Sequence, residues 1–198
     1  MAIEVALITM QQWRGVASHF NATTPFDGAV FSVMGILVLV ASWPIVAWTI
    51  AAARAKDLAS DRRAALLGGL LLLDLSLLVG IGLAVYGSSG FAGSEPATIG
   101  AGSLKLPHAL ALHGIQALPI ARWMLARLGV FEARRTWILG RLALAHGALV
   151  IAAIAQAIAG AAPQHPTPVA LAIIAMGLVL PWRPWAASAL GLPVEASR

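Results

Sequence analysis

Cysteine is absent from all 198 residues. That excludes a disulfide scaffold, thiolate metal sites and covalent haem attachment through a Cys-x-x-Cys-His motif. Charge is scarce: Asp, Glu, Lys and Arg make up 11% of the chain, against about a quarter in soluble domains. There is no P-loop, no His-Glu-x-x-His and no paired acidic motif, and Ser18, Ser76 and Ser103 stand in no recognisable nucleophile setting. Whether the chain is an enzyme stays open. A signal peptide in the usual form is also missing, since no basic start leads into an apolar core with a small-residue cleavage site.

What the chain has instead is apolar length. Hydrophobic residues are 60% of it, and its mean hydropathy is +0.85. Several apolar runs approach about 20 residues, the length needed to cross a bilayer. The composition therefore predicts an integral membrane protein with one membrane domain. The net charge is +5, but the cations flank apolar segments instead of clustering. They are an orientation signal, and no nucleic-acid partner is expected.

The predicted fold is all-α, a membrane helical bundle of five spans. Residues 1–26 form an interfacial segment on the outer face, with Trp13 at headgroup level. Thr24, Pro25 and Asp27 read as the N-cap, first position and acidic partner of a helix start. Spans follow at about 27–53, 64–86, 107–128, 136–161 and 168–180, the last continuing, kinked, past Pro181 and Pro184 to about 190. The transmembrane domain is thus 27–190, with a cytoplasmic tail at 191–198. Four Lys/Arg lie in the 54–63 connection, five around the third-to-fourth turn and two at the C-terminal end, leaving Arg14 and Lys105 on the other side. By the positive-inside rule the N-terminus is out and the C-terminus in, in a bacterial inner membrane. An outside N-terminus without a signal peptide would be natural if further helices preceded it.

Polar side chains inside the spans carry the functional expectation. At about 1.5 Å per residue, Asp74 and His146 lie about 15 Å from the cytoplasmic end, Gln116 about 18 Å and His113 about 22 Å. These four form a predicted inner group from three helices. His113 and Gln116, three apart, share a helix face. His108 is turned about 140° from His113, so it joins His19 and His165 in an outer group, a weaker candidate for a metal or pH-sensing site. Asp74 at a helix centre costs about 2.5–3.5 kcal/mol and must find a partner.

Three readings of the inner group stay open. It is a hydrogen-bond knot tying helices together, a cofactor site in which His113 and His146 ligate a b-type haem or hold a metal ion with Asp74, or a proton or ion relay of a small transporter. The cofactor reading makes the protein redox-linked, with Gly114, Gly140 and Gly147 giving room near the ligands. Partners would be the lipid bilayer and further copies or other membrane subunits. A purely structural subunit is the remaining alternative.

In two stretches, Ser18-His19-Phe20-Asn21 leading to Thr24-Pro25-Phe26-Asp27, and His108 to Pro119 (HALALHGIQALP), the chain resembles a family of uncharacterised bacterial multi-pass membrane proteins. The resemblance covers about residues 4–160. Its members are longer at the N-terminus, and it implies membrane residence and weight on the two His-bearing stretches, with no activity attached.

Overall fold

The structure, a computed structural model, describes residues 2–89, 98–99 and 102–179. The expected continuation of the last span to residue 190 and the tail at 191–198 fall outside the described residues. The described elements are α1 (Ala2–Trp13), α2 (Pro25–Arg54), α3 (Ser60–Ser89), a two-stranded antiparallel pair of β1 (Thr98–Ile99) and β2 (Gly102–Ser103), α4 (Lys105–Leu112), α5 (Gly114–Arg127), α6 (Glu132–Ile158) and α7 (Pro168–Val179). Three helices, α2, α3 and α6, are long and apolar enough to cross a membrane. Their outward faces are apolar too: Trp43 is 78% and Val40 65% exposed on α2. Helices that show large hydrophobics outward are built to meet lipid.

The start of α2 follows the expected chemistry. Thr24 Oγ1 accepts from the Asp27 amide at 3.1 Å, and its hydroxyl donates to Asp27 Oδ2 at 2.6 Å. Pro25 stands at the first helical position, where its missing N–H costs nothing. Asp27 does more than cap. It is 1% exposed and draws α1 onto α2, accepting from Gln11 Nε2 at 3.0 Å and from Arg14 at 2.6 Å.

The centre of the bundle is α3, which packs against α2, α4, α5 and α6. Its buried residues Asp61, Ala65, Gly69, Leu72, Ser76 and Val79 recur at three- and four-residue steps, one stripe of a helix. Small residues on that side let α5 come close. A Cβ on Gly69 would stand 3.0 Å from the Ile115 Cα, and one on Gly68 would stand 2.9 Å from Leu118. From the other side, Leu72 occupies the place a Gly114 Cβ would need, with its own Cβ 2.6 Å from it.

At one end of this stripe the fully buried Asp61 carboxylate joins three helices. Arg135 Nε donates to Oδ2 at 2.6 Å, and the Arg122 guanidinium packs beside it at 3.0 Å. Ser60 next to it donates through its amide and hydroxyl to Glu132, at 2.9 and 3.0 Å. The charged 54–63 connection and the α5–α6 turn therefore meet at one end of the bundle. At the other end Gln156, 5% exposed, staples the α6–α7 turn. Its amide donates to the carbonyls of Ala162 and His165, and its oxygen accepts from the Thr167 amide, each at 2.8 Å.

The packing at Gly114 is directly testable. Gly114→Ala overpacks the α3–α5 contact and is expected to cost about 1–3 kcal/mol. Gly140→Ala, with nothing within 4 Å of the new methyl, is expected to leave stability equal or slightly raised. Thermal unfolding of the two variants in detergent compares them.

Candidate functional site

The polar residues of interest gather around a break in one helical path. Residues 105–127 run as two helices, α4 and α5, separated by His113. Its ψ is −8°, against about −42° in a regular α-helix. Two features place the break here. Pro119 has no N–H to offer the Ile115 carbonyl. The Leu110 carbonyl, the regular acceptor for the Gly114 amide, accepts from His146 Nε2 at 2.7 Å. A side chain inserted into the backbone ladder is a known cause of helix kinks. His146 of α6 thus commits its Nε2–H to the backbone of α4.

His108 is tied on the opposite side of α4. Its Nδ1 donates to the Ser76 carbonyl at 2.9 Å, with Ser76 Oγ at 3.1 Å, and the Ser76 hydroxyl donates to the His108 carbonyl at 3.0 Å. Each side chain satisfies the other residue's backbone. The ring nitrogen nearest the hydroxyl carries a hydrogen, so it is not placed as a base for Ser76. Ser76 is completely buried, and the pair acts as a tie between α3 and α4.

His113 and Gln116 lie elsewhere. Both are exposed, and His113 Nδ1 meets Gln116 Oε1 at 2.8 Å. A carboxamide oxygen only accepts, so Nδ1 holds the hydrogen and Nε2 of the uncharged ring is left as an acceptor pointing away from the pair. The exposed residues Ala109, Leu112, His113, Gln116, Ala117 and Ile120 follow helical spacing. The His–Gln pair is the polar centre of an outward, otherwise apolar stripe.

Asp74 stands apart from both. It lies two residues from Leu72 and two from Ser76, about 160° around α3 from either. Its Oδ1 is buried with no hydrogen-bond partner. Of the expected inner group, then, His113 and Gln116 are brought together, His146 is bonded to a backbone carbonyl, and Asp74 sits on the far side of α3. Of the outer group, His19 is exposed and within 2.9 Å of the Ser18 hydroxyl, His165 is exposed, and His108 is bound to Ser76. Among the described residues, no three His, Cys, Asp or Glu side chains lie close enough to hold a metal ion.

Sequence reasoning missed Ser76, Asp61, Gln11 and Gln156 as the residues that join elements. The available signal was burial cost: a polar residue within an apolar run must find a partner. That flags Ser76 and Gln156 without naming their partners. No family model, curated protein or solved structure matches the chain.

The Ser76–His108 tie has a measurable signature. In a double-mutant cycle of Ser76→Ala and His108→Ala, unfolding in detergent micelles is expected to give a coupling of about 0.6 kcal/mol, with about 1.7 as the upper bound. Additive effects would mean the pair contributes nothing beyond its parts.

Proposed function

We propose that the protein is a five-span membrane subunit of the bacterial inner membrane, with its N-terminus outside, that meets a second copy of itself along the α4–α5 stripe. The observation that carries this is the exposed His113–Gln116 pair. A histidine and a glutamine facing hydrocarbon are costly, and such residues inside membranes normally find polar partners. The pair offers both an acceptor, Nε2 of His113, and donors, the amide hydrogens of Gln116. It is therefore self-complementary across a twofold axis, the commonest symmetry of oligomers. α4 with α5 supplies the third span in chain order, broken at His113, and α7, apolar over 12 residues, begins the fifth. The Asp61 and Ser60 contacts support the orientation, because they gather the cation-rich connections at one end.

A second reading is favoured by one detail. A ligating histidine usually donates its other ring N–H to an oxygen acceptor, and Gln116 gives His113 that arrangement. Two His113 side chains facing each other across a twofold axis would then hold a b-type haem at the subunit interface, where it would supply redox chemistry. Haem held between His113 and His146 of one chain would require His146 to release the Leu110 carbonyl, 2.7 Å away.

The absence of cysteine from the chain makes the dimer easy to test. Ala117→Cys, on the stripe, is expected to give a disulfide-linked dimer in native membranes, whereas Leu144→Cys, 65% exposed on α6, is not. Equal crosslinking at both positions, or at neither, rejects the interface. The absorption spectrum of the purified protein decides the haem reading: a Soret band lost in His113→Ala is expected under it, and no band after haem supplementation removes it.

A further inference from the structure

A groove of about 560 Å3 lies between α2 and α3, within the range of about 300–1,000 Å3 typical of small-molecule sites. Trp48 and Ala51 wall it on α2, Leu66, Leu70 and Leu73 on α3, and Ile115 of α5 closes its far side. The lining is apolar except at one end, where the α2–α3 connection contributes Asp57. From Leu66 to Leu73 the wall runs about 10 Å along α3. It is a slot for a chain, with its polar mouth at the bundle end that carries the charged connections.

The only charged residue lining the groove is Asp57, but the connection that carries it is net positive. Within residues 54–63, Arg54, Lys56 and Arg62 are exposed, against one exposed carboxylate, Asp57. The other acid of the connection, Asp61, is already held by Arg135 and Arg122. Arg63 is turned back to the Ala53 carbonyl. Arg54 lies three residues past Ala51, and Arg62 lies four before Leu66, so each cation shares the helix face that lines the slot. Trp48, 60% exposed on the rim, is of the residue type that settles at headgroup level.

We infer that this groove is a binding site for one anionic glycerophospholipid. One acyl chain lies along Leu66, Leu70 and Leu73, and the phosphate sits under Arg54, Arg62 and Lys56. An apolar slot alone would accept any lipid tail. The cations over its mouth select the headgroup, since basic pockets between spans on the cytoplasmic side recognise anionic lipids. The site depends on the membrane location of the chain and is independent of contact between copies along α4–α5.

Native mass spectrometry of the full-length protein in mild detergent tests this, with phosphatidylglycerol and phosphatidylcholine of identical acyl chains as probes. One phosphatidylglycerol per chain is expected to be retained in preference to phosphatidylcholine. Arg54→Gln and Arg62→Gln should each weaken phosphatidylglycerol retention about fivefold and leave phosphatidylcholine unchanged. Arg134→Gln, an exposed cation on the other connection, should change neither. Ala51→Trp, at an exposed position, fills the slot and should abolish retention of the bound lipid. Equal retention of the two lipids, an Arg134→Gln effect equal to that of Arg54→Gln, or undiminished binding in a folded Ala51→Trp variant overturns the inference. Should Ala51→Trp fail to fold, the three arginine variants decide it.

Discussion

The close approach of α3 to the α4–α5 path is the constraint on which the other contacts depend. It exists because Gly68 and Gly69 on one side and Gly114 on the other leave no Cβ in the way. Leu72 then fills the space over Gly114, and Ile115 and Leu118 settle on α3. With the helices at this distance, Ser76 and His108 reach each other's carbonyls. A bulkier residue at any of these glycines would push α5 outward, and the short polar ties above it would lengthen. Packing sets the spacing here, and hydrogen bonds use it. That order is expected where no hydrophobic effect drives helices together and van der Waals fit does.

The two ends of the bundle use buried carboxylates in the same way. Asp27 gathers Gln11, Arg14 and Thr24, and Asp61 gathers Arg122 and Arg135. Each carboxylate anchors elements distant in sequence at a helix start. A negative group in the first turn also meets the positive end of the helix dipole, which favours it by a further few tenths of a kcal/mol, up to about 1. At both ends the crosslinking carboxylate thus stands in the first turn of a helix. Between them, among the described residues, two buried polar atoms have no hydrogen-bond partner, Asp74 Oδ1 and Arg141 Nε.

Much of this was legible in the sequence wherever a local rule governs. The Thr24–Pro25–Asp27 start and the long apolar helices follow from capping, hydropathy and proline chemistry within a few residues. The pairs Ser76–His108, Leu72–Gly114 and Gly68–Leu118 run in register, which puts Asp74 at the level of Leu110 and therefore of His146. Facing was not legible. Asp74 is level with His146 but turned about 160° from the stripe that meets α4, and only packing decides which stripe of an all-round apolar helix turns inward. The break at His113 was hidden for a related reason. Half of its cause, His146, is 33 residues away in the chain.

The two inner histidines divide along that break. His146 reaches inward, and its Nε2–H is used by a carbonyl. His113 is turned outward, and its Nδ1–H is held by Gln116. The same side chain in the same layer is thus set in opposite hydrogen-bonding forms by one acceptor each: Nδ1 is the bare nitrogen in His146, Nε2 in His113. The inward ring has a structural task that any ligand would have to displace. The outward ring has a fixed orientation, an open acceptor and no internal task beyond its pairing. In the proposed dimer, the Gln116 amide of a second copy would donate to that open Nε2.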